Sequence, residues 1–164
     1  MSTTQENLMD AFAGESQANR KYLAYADKAE REGFAQVAKL FRAAAHAETI
    51  HAHAHFRLAG KVKDTLANLE DAISGETYEF TKMYPEMIRE AEAEDNKAAA
   101  NYMKWVNAVE EVHANLYKKA LAAQGKMEDV DYYICPVCGY THEGVHEGPC
   151  PICNAPSKVF EKIA

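Results

Sequence analysis

The fold is decided by a stretch of twelve residues, Ala108–Lys119, that reads AVEEVHANLYKK. Its composition favours a helix, and apolar residues recur at three- and four-residue spacing along one face. Glu110 and His113 interrupt that apolar face, so both side chains are predicted to point toward the interior. A buried carboxylate without a partner is costly. We therefore expect a cation beside this pair.

The same Glu-x-x-His pattern occurs earlier in the chain, at Glu48 and His51 within AETIHA. It precedes Glu110 and His113 by 62 residues. A single Glu-x-x-His on a helix is usually a solvated surface pair. Two copies on apolar faces at a fixed offset instead indicate an internal repeat that carries a site.

The two other predicted helices each carry a glutamate on the apolar face, and 61 residues separate these two glutamates. Gly14 and Gly75 precede them and predict close helix packing beside the carboxylates. Glutamate oxygens and imidazole nitrogens suit iron or manganese. One Glu from each of two helices and Glu-x-x-His from each of two others is the ligand set of di-iron carboxylate bundles. The predicted ligands are Glu15, Glu48, His51, Glu76, Glu110 and His113.

Four helices of about 25–30 residues with short connections predict an antiparallel bundle. Thr3 and Glu6 form a capping-box pattern at the start of the first helix, and Gly33 and Gly60 are predicted to end the first two. Pro85 lies inside the third and is predicted to kink it, because proline lacks an N–H and crowds the preceding turn. The predicted bounds are residues 3–33, 34–59, 64–94 and 95–125.

All four cysteines lie in the last part of the chain, in the knuckles CPVCGY and CPICNA. In a reducing compartment such a cluster predicts a metal site rather than two disulfides. Gly139 and Asn154 follow the knuckles and tolerate a left-handed conformation. Four thiolates suit zinc or iron, and geometry alone does not choose between them. The predicted ligands are Cys135, Cys138, Cys150 and Cys153, with His142 and His146 in solvent.

The predicted organisation is a helical domain over residues 1–125, a linker over 126–131 and a small metal-built β/loop domain over 132–164. The net charge of −7 argues against a nucleic-acid binder. No apolar run is long enough to span a membrane, and no secretory signal precedes the first helix. The sequence therefore predicts a cytoplasmic protein with no nucleic-acid or membrane partner.

Other side chains near the predicted ligands keep two interpretations each. His55 lies one turn beyond His51 and is expected to support the site or fill the core, whereas His53 points to solvent. Glu79 lies one turn beyond Glu76 and is either a seventh ligand or a surface residue. Tyr22 and Tyr84 either hydrogen-bond to ligand carboxylates or pack in the bundle.

Throughout its length the chain resembles the rubrerythrins. The resemblance implies a ferritin-like four-helix bundle followed by a rubredoxin-like domain. The bundle would hold an oxo- or hydroxo-bridged pair of iron ions, and the second domain would hold one iron ion between four cysteines. The matching segments are AFAGES around Glu15, AETIHA with Glu48 and His51, GETYEFTKMYP with Glu76 and Glu79, VEEVHA with Glu110 and His113, CPVCGY and CPICNA.

The resemblance also implies a peroxidase that reduces hydrogen peroxide and protects cells from oxidative stress. Glu79 would be a ligand in the oxidised state, exchanged for His51 on reduction, with Tyr22 and Tyr84 hydrogen-bonded nearby. Electrons would come from an NAD(P)H-dependent reductase or a rubredoxin-type donor, and the chain would form a homodimer or a larger homo-oligomer. The alternatives are a ferroxidase or iron-handling protein and a non-enzymatic electron carrier.

Overall fold

The structure, a computed structural model, describes residues 2–163 of the chain. It divides into two units, Met1–Lys63 and Asp64–Ala164. The first unit is a hairpin of two helices, α1 (Thr4–Arg31) and α2 (Ala35–Leu58). The predicted division at residues 126–131 stays a prediction.

The ends of α1 and α2 follow from the residues that the sequence places there. Thr3 Oγ1 accepts a hydrogen bond from the Glu6 N–H at 3.2 Å, and the Thr3 N–H donates to Glu6 Oε2 at 2.6 Å, which confirms the capping box. Gly33 and Gly60 follow the two helices with φ angles of 85° and 65°. This left-handed conformation ends a helix, and glycine adopts it without a steric penalty.

Small side chains lie between α1 and α2. The buried residues of the two helices are alanines, among them Ala26 and Ala45, and a methyl group lets two helix axes approach closely. The Asn19 side-chain amide donates to the Ala45 carbonyl at 2.7 Å, and the rings of Phe12 and Phe56 stack with centroids 4.6 Å apart. These contacts fix the register in which the glutamates of the two helices meet.

The second unit begins with α3 (Thr65–Tyr78), whose N-cap Asp64 accepts a hydrogen bond from the Ala67 N–H at 2.9 Å. It continues through a π-helical segment (Glu79–Met83) into α4 (Tyr84–Ala93). The sequence predicted one helix with a kink at Pro85, and the structure shows a widened π-helical turn just before that proline.

The widened turn has a local cause. Tyr84 donates its N–H to the Glu79 carbonyl, five residues back rather than four. A proline ring crowds the carbonyl of the residue four positions earlier, which is Thr81. The wider π turn takes up the extra residue while keeping the chain helical. The segment begins at Glu79, and such turns are frequent at functional sites.

Helix α5 (Lys97–Ala122) leads to a three-stranded antiparallel sheet in the order β2-β1-β3. Its strands are β1 (Tyr132–Ile134), β2 (Thr141–Glu143) and β3 (Glu161–Ile163). The predicted fold class, mainly helical with a small cysteine-bearing β/loop domain at the end, is confirmed. None of the helices within residues 2–163 combines the length and the apolar character that crossing a bilayer requires.

The cysteine domain packs on α5 through Val109, which is only 1% exposed. A Cβ atom built on Gly139 would lie 3.8 Å from Val109 Cγ1, so the first knuckle faces the helix closely. Farther along, Lys119 forms an ion pair of 2.5 Å with Glu143 on β2. The residues that share the cluster with Val109 are Cys135, Cys138, Cys150, Trp105, Tyr140, Ile152, Cys153, Ala155 and Phe160.

We predict that Val109→Ala lowers the free energy of unfolding by about 2 kcal/mol, because it deletes two buried methyl groups and leaves a cavity. Denaturant titration of the metal-loaded protein measures the change. Val137→Ala is the matched control: Val137 lies in the first knuckle and is 47% exposed. Its effect should stay within about 0.5 kcal/mol. Equal losses in the two variants would contradict the packing role of Val109.

Candidate metal centres

The first unit brings three predicted ligands together, one from α1 and two from α2. Ligand atoms of Glu15, Glu48 and His51 all lie within 4.8 Å of one another. His51 Nδ1 is 2.8 Å from Glu48 Oε2 and 3.9 Å from Glu15 Oε1. The side chain of His51 is 53% exposed. We call these three residues the first triad.

The second unit repeats this arrangement with Glu76 on α3 and the Glu-x-x-His pair of α5. Ligand atoms of Glu76, Glu110 and His113 lie within 4.8 Å of one another and form the second triad. His113 Nδ1 is 2.8 Å from Glu110 Oε2 and 3.8 Å from Glu76 Oε1. All three side chains are at least half-buried, as the apolar spacing around Glu110 and His113 predicted.

Negative charge is concentrated in the second triad. Burial raises the pKa of Glu76 to about 7, and the charge of Glu110 and a hydrogen bond with its carboxylate add to the shift. Two carboxylates that share a site cannot both ionise freely, so one retains a proton. A divalent cation would take the place of that proton, and this chemistry fits the oxygen and nitrogen donors present.

Three more side chains feel the same charge. Burial raises the pKa of Glu79, and the neighbouring charge of Glu110 raises it further. Burial also raises the pKa of Tyr84, and the charge of Glu110 adds to the shift. Burial raises the pKa of Tyr117 as well, and the charges of Glu76 and Glu110 add to that shift. Tyr117 lies near the second triad but is not among the predicted site residues. Its spacing of four residues from His113 was the available signal.

Three other residues of the first unit that the sequence analysis considered, Tyr22, His53 and His55, lie outside the first triad. The ring of Tyr22 packs near Tyr25 and Phe41, with centroids 6.4 and 6.2 Å away. His55 Nδ1 is shielded from solvent and has no hydrogen-bond partner among residues 2–163. His53 is exposed, as predicted.

The expected close packing at the two glycines before the triads is not seen. Within its own unit, a Cβ atom built on Gly14 or Gly75 would contact nothing within 4 Å. The helices of each unit approach one another through alanine and through the ligand side chains instead, so the glycines are not needed for that contact.

The four cysteines converge as a separate centre in the second unit. The Sγ atoms of Cys135 and Cys153 are 3.6 Å apart, and so are those of Cys138 and Cys150. A disulfide would require about 2.05 Å. Thiolates at about 2.3 Å from a tetrahedral metal ion would place the sulfurs about 3.8 Å from one another. The separation therefore fits a tetrathiolate metal site.

Each knuckle turns as the sequence predicted. Gly139 and Asn154 have φ angles of 86° and 64°. The Gly139 N–H donates to the Cys135 carbonyl at 2.8 Å, and the Asn154 N–H donates to the Cys150 carbonyl at 2.9 Å. The two knuckles are therefore near copies, and each points two sulfurs at one centre.

Backbone N–H groups around the first knuckle favour the ionised thiol that a metal ion requires. Burial opposes ionisation of Cys135, but hydrogen bonds from the N–H groups of Cys138 and Val137 lower the pKa of its thiol overall.

The prediction that His142 and His146 lie in solvent was wrong. Both are half-buried, and His146 stacks on Phe160 with ring centroids 4.5 Å apart.

Comparison with known proteins gives a consistent result. A family model described as Rubrerythrin matches residues 6–121. The chain belongs to the rubrerythrin family. It is 37% identical to nigerythrin of Nitratidesulfovibrio vulgaris, covering 96% of this chain and 85% of that protein. It is 32% identical to rubrerythrin-2 of Clostridium acetobutylicum, covering 96% and 95% of the two chains.

Solved structures of nigerythrin have the same fold. The structure described as fully reduced and all ferrous matches with a TM-score of 0.60 and 34% identity, covering 99% of this chain and 88% of that one. A mixed-valence structure of nigerythrin matches with a TM-score of 0.60 and 35% identity over the same shares. Membership of the rubrerythrin family places the chain among non-haem di-iron oxidoreductases. The ligand sets for a di-iron site and for a four-cysteine iron site are both present.

We predict that the metal-free protein loses stability as the pH rises from about 4.5 to about 7. In this interval the unfolded chain has released the Glu76 proton at its ordinary pKa of 4.5, whereas the folded chain retains it up to about 7. The folded state binds more protons, so its stability falls with rising pH. Thermal unfolding followed by circular dichroism across this pH range measures the slope.

Glu76→Gln should remove this part of the slope, because glutamine is neutral in both states. Glu70→Gln is the matched control, since Glu70 is an exposed glutamate on the same helix α3. It should leave the slope unchanged. A slope that survives in Glu76→Gln would contradict the assignment of the retained proton to the second triad.

Proposed function

We propose that the protein is a peroxidase that reduces hydrogen peroxide to water and so protects the cell from oxidative stress. The O–O bond is cleaved, and two electrons and two protons convert the two oxygen atoms into two water molecules. The two triads, with Glu79, supply the ligands of a di-iron centre. Electrons enter through the four-cysteine iron site from an external NAD(P)H-dependent reductase or a rubredoxin-type donor, and the chain acts as a homodimer or a larger homo-oligomer.

One observation carries the proposal: the four-cysteine domain rests on the same helix that provides two di-iron ligands. Val109 is buried against Cys135, Cys138 and Cys150. The next residue along α5 is Glu110 of the second triad. A protein that only stored iron would have no need for a thiolate site against its ligand helix. A one-electron carrier in that position serves a reaction that consumes electrons.

Protons are available beside the second triad. Tyr84 and Tyr117 stay protonated, because burial and the surrounding carboxylates raise their pKa values. Their hydroxyl groups can therefore donate a hydrogen bond or a proton beside the second triad. Bound iron would supply the two electrons for O–O cleavage.

The proposal is tested by the oxidant that the reduced protein prefers. The full chain is loaded with iron and reduced without oxygen, and stopped-flow absorption then follows its oxidation by hydrogen peroxide and by dioxygen. We expect peroxide to react at least about tenfold faster. A faster reaction with dioxygen would instead identify a ferroxidase. Failure of both oxidants to react in the time of turnover would identify an electron carrier.

A second prediction separates the delivery of electrons from the chemistry. In Cys138→Ser the tetrathiolate site loses a ligand, so it should lose iron or change its potential. After loading with excess iron and chemical reduction, this variant should still be oxidised by one equivalent of peroxide. Its steady-state turnover with NADH and an external reductase should fall at least about a hundredfold, because electrons no longer reach the triads.

Val137→Ala, in the same knuckle but exposed, is the control for both assays and should behave as the parent. Parent-level steady-state activity in Cys138→Ser would mean that the cysteine site is a structural support. Electrons would then enter the triads directly.

A further inference from the structure

His113 has a hydrogen-bond partner on the four-cysteine domain. Its Nε2 atom is 2.9 Å from Thr141 Oγ1, and this contact is partly buried. Thr141 is the first residue of β2 and lies 28 residues farther along the chain. The opposite ring nitrogen, Nδ1, faces Glu110 at 2.8 Å and Glu76 at 3.8 Å. The imidazole therefore bridges the domain and the second triad.

When a metal ion occupies the second triad, the hydrogen-bond pattern assigns donor and acceptor in this contact. A threonine hydroxyl has one hydrogen, and Thr141 donates it to the Gly139 carbonyl at 3.3 Å. The hydroxyl oxygen is then free to accept the Nε2–H of His113. In the metal-loaded protein the proton lies on Nε2, and the Nδ1 lone pair is available to the ion that Glu76 and Glu110 would also hold. This is the form of histidine that binds a metal ion through Nδ1. Without the ion, Nδ1 is at hydrogen-bond distance from Glu110 Oε2, 2.8 Å.

The first triad lacks this support. His51 Nδ1 has the same relation to Glu48, at 2.8 Å. Within residues 2–63, however, no side chain or backbone group hydrogen-bonds to His51 Nε2. The two histidines occupy matching places in the internal repeat, yet the ring orientation of His113 alone is fixed by a residue outside the helices.

We propose that Thr141 is a positioning residue for His113: its hydroxyl oxygen accepts the Nε2–H bond and holds the Nδ1 lone pair toward the metal ion that Glu76 and Glu110 would also bind. Ring rotation would break this hydrogen bond, so the bond lowers the entropy that metal binding must remove. Partners of this kind typically change metal affinity by tenfold to a hundredfold. Thr141 touches no reacting atom and acts only through His113.

Zinc binding to the full chain tests the proposal independently of peroxidase activity. The four-cysteine site is filled first, and zinc affinity at the carboxylate–histidine sites is then measured by competition with a chelator. Thr141→Val keeps the size and the β-branched shape but has no hydroxyl. It should lower the affinity for one zinc ion at least about tenfold and leave the affinity for the other unchanged. Thr141→Ser should restore the affinity. Thr141→Ala serves in place of the valine variant if that variant does not fold.

Glu143→Gln distinguishes positioning of the histidine from docking of the domain. It weakens the Lys119–Glu143 ion pair on the same strand but leaves Thr141 intact. Its zinc affinity should match the parent. In the zinc-loaded protein, NMR should show a slowly exchanging His113 Nε2–H in the parent, in Thr141→Ser and in Glu143→Gln. That signal should exchange rapidly in Thr141→Val.

Three results would overturn the proposal. Parent affinity in Thr141→Val would show that the hydroxyl is not needed. Weak binding in Thr141→Ser would show that something other than the hydroxyl is responsible. A loss in Glu143→Gln equal to that in Thr141→Val would assign the effect to domain docking.

Discussion

Glu76 and Glu110 come from two different helices and meet in a partly buried position. Burial, the charge of Glu110 and a hydrogen bond between the two carboxyl groups together raise the pKa of Glu76 to about 7. Such a pair is unfavourable when both carboxylates are ionised. The helices nevertheless hold it in place through caps, periodic apolar residues and a histidine on the same turn. The structure therefore tolerates a local electrostatic cost that a bound cation would remove. The same charge helps to raise the pKa values of Glu79, Tyr84 and Tyr117.

The internal repeat explains how the chain builds such a site twice. Each helical pair places one glutamate opposite a Glu-x-x-His, and the distances within the two triads agree closely, at 2.8 Å for both Glu-x-x-His contacts. The surroundings differ, however. The second triad has the π-helical segment that begins at Glu79, two tyrosines with raised pKa values and the four-cysteine domain. The repeat therefore supplies similar ligand sets in unequal environments.

Much of the fold could be predicted because its signals are local. The capping box at Thr3, the helix ends at Gly33 and Gly60, and the left-handed turns at Gly139 and Asn154 each depend on residues close in sequence. The three- and four-residue spacing likewise indicated the residues that form the two triads, whereas their joining into one di-iron site stays a prediction. These features are set by backbone sterics and helix geometry, which a sequence shows directly.

The features that were missed depend on contacts between distant residues. Thr141 reaches His113 across 28 residues, and no periodic pattern indicates which strand residue will face which helix. His142 and His146 were expected in solvent, but His146 stacks on Phe160, the residue directly before β3. The π turn was also missed, because Pro85 signals a disturbance without specifying whether the helix bends or widens. The difference between His51, whose side chain is exposed, and His113, which is hydrogen-bonded to Thr141, likewise could not be predicted from the sequence.

The position of Thr141 has a consequence for how the two kinds of metal site depend on each other. The four-cysteine domain has little apolar core of its own, and its strands are three residues long. Domains of this size usually depend on their metal ion to fold. We therefore expect a metal ion on the cysteines to stabilise the loop and strand that carry Gly139 and Thr141. Since Thr141 orients His113, filling the thiolate site favours metal binding at the second triad, and the coupling must act equally in the opposite direction. A single hydrogen bond thus connects the site where electrons are proposed to enter with the site where they are proposed to be used.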